Sequence, residues 1–116
     1  MVEHAEAELD RVFRALGSAP RREILRMTAG ERRSVSELAQ HFDMSLAAVA
    51  KHVHVLVDAE LVSLTQEGRV HYCRLKPETL DAARLSIDDL RRFWNARLDA
   101  LERVAKGGAR SKKRGS

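Results

Sequence analysis

The sequence predicts a small α+β domain that is mainly helical, carries one β-hairpin, and follows the order α-α-α-α-β-β-α-α. Several segments place apolar residues three and four positions apart, which is the spacing of one-sided helices. A single pair of β-prone runs, residues 61–65 and 70–75, flanks a short turn that contains Gly68. The length of 116 residues suits one modest core. We therefore expect one domain at residues 1–106 and a disordered basic tail at residues 107–116.

Composition and charge narrow the function classes before any motif is considered. The chain has 21 Lys and Arg against 17 Asp and Glu, giving a net charge of +4. This excess favours nucleic acid or another anionic surface over an acidic-substrate pocket. The start of the sequence does not resemble a secretion signal, and no apolar stretch is long enough to cross a membrane. Cys73 is the single cysteine, so no internal disulfide can form, and we expect a reduced, cytoplasmic environment.

Two one-sided helices are predicted at the start of the chain. Residues 5–16 carry their apolar side chains on one face, namely Leu9, Val12, Phe13 and Leu16. Ser18 can then cap a second helix, and Pro20 fits the first turn of that helix because its missing N–H is not needed there. The second helix is expected to run to about residue 29.

The centre of the chain predicts two short helices joined by a tight turn. Ser34 and Glu37 have the spacing of a capping box, which begins a helix that continues to residue 41. Residues 42–44 form the turn, and Ser45 caps a further helix. The buried face of that helix is predicted to contain Val49, Val53 and Leu56. This pattern is a helix-turn-helix candidate.

The two β-prone runs then form a hairpin that acts as a wing beside the helix pair. A short helix is expected over residues 77–83, and Ser86 is expected to cap a separate long helix. Its apolar face consists of Ile87, Leu90, Trp94, Leu98, Leu101 and Ala105. Gly107 and Gly108 are expected to end it.

Five pieces of the sequence, in this order, resemble the arsenic-repressor (ArsR-type) family of winged helix-turn-helix transcriptional regulators. They are Leu16 with residues 20–25, residues 36–39, residues 44–49 with 51–53 and 55–56, residues 58–59 with 61–62, and residues 67–72 with Leu75. The resemblance covers roughly residues 9–105. It implies a DNA-binding transcriptional regulator, and the segment around Phe93 and Trp94 resembles the subgroup that represses its own operon without sensing metals. Because the sequence offers no extra segment that could recruit polymerase, we expect a repressor that acts by occluding its operator.

Several residues depart from the family pattern, and these departures lead to further predictions. Leu46 and Ala50 stand where polar residues are common, and Glu60 stands where a glycine normally ends the helix. A left-handed Glu60 would cost about 1–2 kcal/mol, so we expect an altered exit turn instead. The family's metal sites use cysteines where this chain has Ser34 and Ser36, or histidines of a last helix that here contains none. We expect neither a metal nor any other cofactor.

The candidate DNA contacts lie on the solvent side of the helix that Ser45 caps, in the wing, and near the start of the second helix. In winged helices, the N-terminal half of the helix that follows the turn enters the major groove. The candidate residues are Ser45, Ala47, Ala48, Lys51, His54, Arg69, Arg21 and Arg22. Lys51 can bond guanine or phosphate, the alanines can meet thymine methyl groups, and Arg69 can enter a narrow minor groove. Arg21 and Arg22, with Arg32 and Arg33, are expected to bind phosphates. Each of these residues could instead be an ordinary solvated side chain, and His52 is expected to pack rather than touch bases.

The first and last helices are the expected dimer interface, because their apolar stripes are longer than a compact core requires. The interface residues are Leu9, Val12, Phe13, Leu16, Leu90, Trp94, Leu98 and Leu101. No phosphate-binding loop, paired carboxylates or activated nucleophile can be recognised, so we expect no enzyme. Double-stranded DNA with an inverted repeat and a second copy of the chain are the expected partners. The alternative is a winged-helix protein-interaction module that does not bind DNA.

Overall fold

The computed structural model of the protein describes residues 2–109, and side chains within residues 5–107. Its elements are α1 Val2–Leu16, α2 Ala19–Met27, β1 Arg33–Ser34, α3 Val35–His41, α4 Leu46–Asp58, β2 Val62–Glu67, β3 Val70–Leu75 and α5 Pro77–Ala109. The chain forms two compact units, one ending at Ala83 and the other beginning at Arg84. The second unit contains the remainder of α5.

The first unit holds the hydrophobic core. Helices α1 to α4 and the small sheet contribute the fully buried apolar side chains, which include Ile24, Leu38, Val49, Val53, Leu56, Leu61, Val62 and Cys73. The predicted buried face of α4 is confirmed, since Val49, Val53 and Leu56 are each at most 1 % exposed. Val12 is also buried and Leu16 packs against the same cluster. The α1 stripe therefore serves the protomer's own core, at least in part.

Side-chain caps fix where the short helices begin, as the sequence predicted. Ser18 Oγ accepts a hydrogen bond from the Arg21 amide at the start of α2. At α3 the capping box is complete, because Ser34 Oγ accepts from the Glu37 amide at 3.0 Å and Glu37 Oε1 accepts from the Ser34 amide at 2.9 Å. Ser45 Oγ accepts from the Ala48 amide at 3.1 Å and begins α4. Together these caps set the helix-turn-helix geometry.

The sheet is antiparallel with strand order β1-β3-β2, so it contains one strand more than the sequence indicated. Strand β1 pairs Arg33 with Cys73 and Ser34 with Tyr72. Two residues beside a charged run carry no β signal of their own, and this strand exists only through its distant partner. Strand β2 also extends beyond the predicted residue 65, and Gly68, with a φ of 63°, opens the tight turn that leads through Arg69 into β3.

The expectation of an altered exit turn after α4 was wrong, because Glu60 adopts the left-handed conformation with a φ of 63°. The Leu61 amide donates to the Leu56 carbonyl and the Glu60 amide to the Val57 carbonyl, both at 2.9 Å. These are the two bonds of a Schellman motif, here built without glycine. The Glu60 carbonyl accepts from Thr79 Oγ1 and its carboxylate pairs with Lys76. These bonds, with the full burial of Leu61, oppose the backbone strain.

The C-terminal prediction of two helices was also wrong: α5 is continuous from Pro77 to Ala109. Ser86 offers a capping side chain, but no proline or glycine near it interrupts the helical hydrogen bonds, so the cap signal was misleading. The observed order is thus α-α-β-α-α-β-β-α. Gly107 and Gly108 lie inside α5 instead of ending it, and the rest of the predicted tail, residues 110–116, lies outside the described residues.

Candidate nucleic-acid interface

Helix α4 presents a polar face on the side opposite its buried valines. Ala47, Lys51 and His54 are exposed on this face, and Ala48 is half-buried at its edge. Ser45 lies exposed at the N-terminus, where its hydroxyl is already engaged as the cap. Within the described part of the chain, Lys51 has no ion pair or hydrogen-bond partner. The helix therefore offers small apolar groups and one unpaired cation along a surface that can fit a groove.

His54 has a defined hydrogen-bonding state on that face. Its Nδ1 lies 2.9 Å from the Ala50 carbonyl oxygen. A carbonyl can only accept, so Nδ1 carries the hydrogen and the neutral ring leaves Nε2 as an acceptor. Such a ring can accept from a base amino group, whereas it can donate to a phosphate only when it is protonated.

The wing places a second cation near α4. Arg69 follows Gly68 in the hairpin turn, is exposed, and has no ion pair or hydrogen bond among the described residues. Arg69 also lines a groove of about 380 Å³ between the wing and the helix pair. The groove is lined by Ser34, Val35, Ser36, Leu46, Ala50, Val53, His54, Leu64, Arg69, Val70 and His71. Lys51 and Arg69, both without a partner among the described residues, thus lie on the elements that form or flank one concave surface.

Arg21 and Arg22, which were predicted to bind phosphates, donate hydrogen bonds to the end of α1. Arg21 Nε donates to the Ala15 carbonyl at 2.8 Å and Nη2 to the Arg14 carbonyl at 3.1 Å. Arg22 Nη1 donates to the Leu16 carbonyl at 2.7 Å. These carbonyls lack helical partners because α1 ends there, so the two guanidinium groups cap α1. Arg22 remains exposed, whereas Arg21 is half-buried.

Arg32 and Arg33, the other arginines expected to bind phosphates, also have internal partners. Arg32 forms a two-pronged ion pair with Glu67, at 2.6 and 3.1 Å, and lies 3.7 Å from the centre of the Tyr72 ring. This pair raises the pKa of Arg32 and lowers the pKa of the Glu67 carboxyl. Arg33 Nε donates to the Met27 carbonyl at 3.1 Å. Arg32 therefore holds the turn end of the wing, and Arg33 bonds the end of α2.

His52 joins α4 to the end of α1 through Arg21, as the expectation of a packing role implied. Arg21 Nη1 lies 3.2 Å from His52 Nδ1, and since the guanidinium can only donate, Nδ1 accepts. Burial and, second, the charge of Arg21 lower the pKa of His52 below its ordinary value of 6.5. Both causes favour the neutral ring that this hydrogen bond requires.

Leu46 is the residue at this surface that the sequence reasoning did not assign to the site. It continues the spacing of Val49, Val53 and Leu56, which favours a core position, yet it is 55 % exposed. Leu46 is the first residue of α4 and does not belong to the core cluster. Its departure from the family pattern, noted above, was the signal that could have identified it.

The second unit has the opposite character, because its apolar side chains are exposed. Leu90, Trp94 and Leu101 are each more than 60 % exposed, and none of the unit's described side chains is buried. The stripe predicted as a dimer surface is therefore present on α5 with its apolar area uncovered in the single chain. On α1, Phe13 is exposed and Leu9 is half-buried, while Val12 lies in the core.

Other candidate sites are limited. Burial raises the pKa of the Cys73 thiol to about 11, which keeps it protonated at neutral pH and suits a structural role. The described residues contain no group of three or more His, Cys, Asp or Glu side chains placed to hold a metal ion. Nor does the described part of the chain contain a helix long and apolar enough to span a membrane.

Known proteins resemble the chain over the elements described here. A family described as a helix-turn-helix domain matches residues 16–65. The HTH-type transcriptional regulator Rv2034 of Mycobacterium tuberculosis is 36 % identical over 89 residues, which cover 77 % of this chain and 80 % of that protein. The arsenical resistance operon repressor of Staphylococcus xylosus is 31 % identical over 81 residues, covering 70 % and 78 %.

Structural similarity points the same way. The structure of an ArsR-like transcriptional regulator from Rhodococcus sp. RHA1 matches with a TM-score of 0.77 and 31 % identity, covering 88 % of this chain and 96 % of that one. The chain therefore belongs to the ArsR family of winged helix-turn-helix, DNA-binding transcriptional regulators.

Proposed function

We propose that the protein is a homodimeric repressor that occludes an inverted-repeat operator. The observation that carries this proposal is the contrast between cations: Lys51 and Arg69 are exposed and unpaired among the described residues, whereas four neighbouring arginines are engaged internally. Unpaired cations on a helix face and on an adjoining wing are what a DNA duplex requires of its binding surface.

Each contact has a defined task in this proposal. Lys51 bonds guanine O6 and N7 or a phosphate, and Ala47 and Ala48 meet thymine methyl groups in the major groove. The free amides at the start of α4, beside Ser45, hold a phosphate. Arg69 enters the minor groove, and His54 accepts from a base amino group. Arg22 keeps a phosphate-binding role because it is exposed, whereas Arg21 positions α4 through His52.

The exposed stripe on α5 supports dimerisation. Contiguous exposed apolar area of this kind marks an interface in soluble proteins. Trp94 is the anchor, with Leu90, Leu98 and Leu101 beside it and Leu9 and Phe13 contributed by α1. A two-fold dimer would place two α4 helices about 34 Å apart, which requires an inverted-repeat operator. Repression by occlusion then needs no further segment, because a bound dimer blocks access to the DNA.

Selection of duplexes from a random pool, followed by footprinting, tests the proposal. We expect an inverted repeat with half-sites one helical turn apart, two chains bound per site, and affinity that falls steeply as salt is raised. If the protein shifts no duplex even at low salt, the protein-interaction module becomes the better description. A site that binds one chain and has no symmetry would contradict the dimer part alone.

A further inference from the structure

We infer that Leu46 is a specificity-determining residue that contacts the C5 methyl group of a thymine in each operator half-site. The inference deepens the proposed function and rests on it. Leu46 begins α4, the helix that carries Lys51, and its side chain is 55 % exposed on the wall of the groove between α4 and the wing.

The exposure of Leu46 is not explained by the protomer's own packing. The residues that share its spacing on α4, Val49, Val53 and Leu56, are at most 1 % exposed. Across the groove, Val70 on the wing is 40 % exposed, so the two apolar side chains line one concavity. This exposed apolar area is continuous with the proposed DNA-binding face. Covering it with an apolar group of the DNA would stabilise the complex, because it removes apolar surface from water.

The chemistry of the major groove restricts what that group can be. Base edges there present hydrogen-bond donors and acceptors, and the thymine methyl is their one apolar group. The Leu46 side chain has no polar atom, and a polar base edge placed against it would lose its water without gaining a partner. Thymine is therefore favoured over cytosine at the contacted position. The methyl of 5-methylcytosine occupies the same place on the ring and would restore part of the contact.

The test uses single replacements of thymine by deoxyuridine in the selected operator, since uracil pairs like thymine but lacks the methyl. For the wild type we expect, besides any thymines that Ala47 and Ala48 contact, one further position in each half-site at which the replacement weakens binding about three- to fivefold, as for one buried methyl group. For Leu46→Ala we expect the same replacement to have almost no effect. At that position, 5-methylcytosine should bind the wild type more tightly than cytosine does.

Two further variants complete the design. Leu46→Gln keeps the length of the side chain and adds polar atoms, so it should also lose the distinction between thymine and uracil while still binding DNA. Leu85→Ala removes the same carbons from an exposed position of α5 and should keep the wild-type response. The inference is overturned if no position responds to uracil, or if every position that responds in the wild type still responds in Leu46→Ala, which would assign all the responses to Ala47, Ala48 or DNA shape. Loss of all duplex binding by the wild type would instead overturn the proposed function.

Discussion

Helix α4 and the part of α5 that follows Ala83 are both amphipathic, but the apolar face of α4 is buried and that of α5 is exposed. On α4, Val49, Val53 and Leu56 are buried and the polar face is exposed. On α5, Leu90 and Trp94 are exposed to 62 % and 61 %. An apolar face buried within the protomer holds a helix in place so that its other face can bind a ligand. An uncovered apolar face offers a surface to another chain.

The largest expected effect is a difference in the free energy of unfolding between two leucine-to-alanine variants, one on α4 and one on α5. Leu56→Ala removes a fully buried side chain and should lower the free energy of unfolding by about 2–5 kcal/mol. Leu85→Ala makes the same chemical change at a side chain that is 61 % exposed and should change it by less than about 0.5 kcal/mol. Urea unfolding at one fixed protein concentration measures both, because dimerisation makes stability depend on concentration. Equal losses of unfolding free energy in the two variants would contradict the difference in burial between the two regions.

A somewhat smaller effect is expected on dimerisation, from a substitution on α5 that leaves folding unchanged. Trp94→Ala should weaken dimerisation by about 2–4 kcal/mol, as expected for a truncated aromatic anchor, and leave the helical content unchanged. Sedimentation over a concentration series measures the dimer, and circular dichroism measures the helix.

Phe93→Ala is the matched control for Trp94→Ala. Phe93 is 59 % exposed, and one residue along the helix turns it about 100° away from the position of Trp94. It should therefore affect the dimer less. A wild type that is monomeric at micromolar concentration, or equal effects of the two variants, would refute the α5 stripe as the interface.

The smallest expected effect is a pH dependence of the free energy of unfolding that arises from His52 on α4. Because the folded protein holds the pKa of His52 below 6.5, the unfolded chain binds a proton first as the pH falls. The contribution of His52 to stability is thus present at neutral pH and decreases once the pH falls through 6.5. Comparing urea midpoints at pH 7.5 and 5.5 for the wild type and for His52→Gln, which keeps an acceptor for Arg21, should show a smaller decrease in the variant. Identical decreases would mean that other groups determine the pH response.

Local signals made most of the fold predictable. The caps formed by Ser18, Ser34 and Ser45, and the buried stripe of α4, are determined by neighbouring residues, and the structure confirms them. Strand β1 and the left-handed Glu60 depend on partners far along the chain, Tyr72 and Thr79 among them. Such tertiary contacts override local preference and cannot be seen in a short window of sequence.

The candidate site was predictable in position but less so in the roles of its charges. The helical period correctly placed Lys51 and His54 on the exposed face of α4. It could not show that Arg21 and Arg22 bond the last carbonyls of α1, because sequence does not reveal which way a long, flexible side chain points. Nor could it show that Leu46, with core spacing, is exposed.

The central claim, that the exposed face of α4 binds DNA, is tested most directly by reversing one charge. Lys51→Glu should weaken binding to the selected operator by about tenfold or more with the fold intact, because it removes a base or phosphate contact and adds repulsion. Arg92→Glu makes the same charge change at an exposed α5 position, where Arg92 pairs with Asp89 at 3.3 Å, and should leave affinity within about twofold. Fluorescence anisotropy titrations at one salt concentration measure both affinities. A folded Lys51→Glu variant that binds the operator as tightly as Arg92→Glu would contradict the claim.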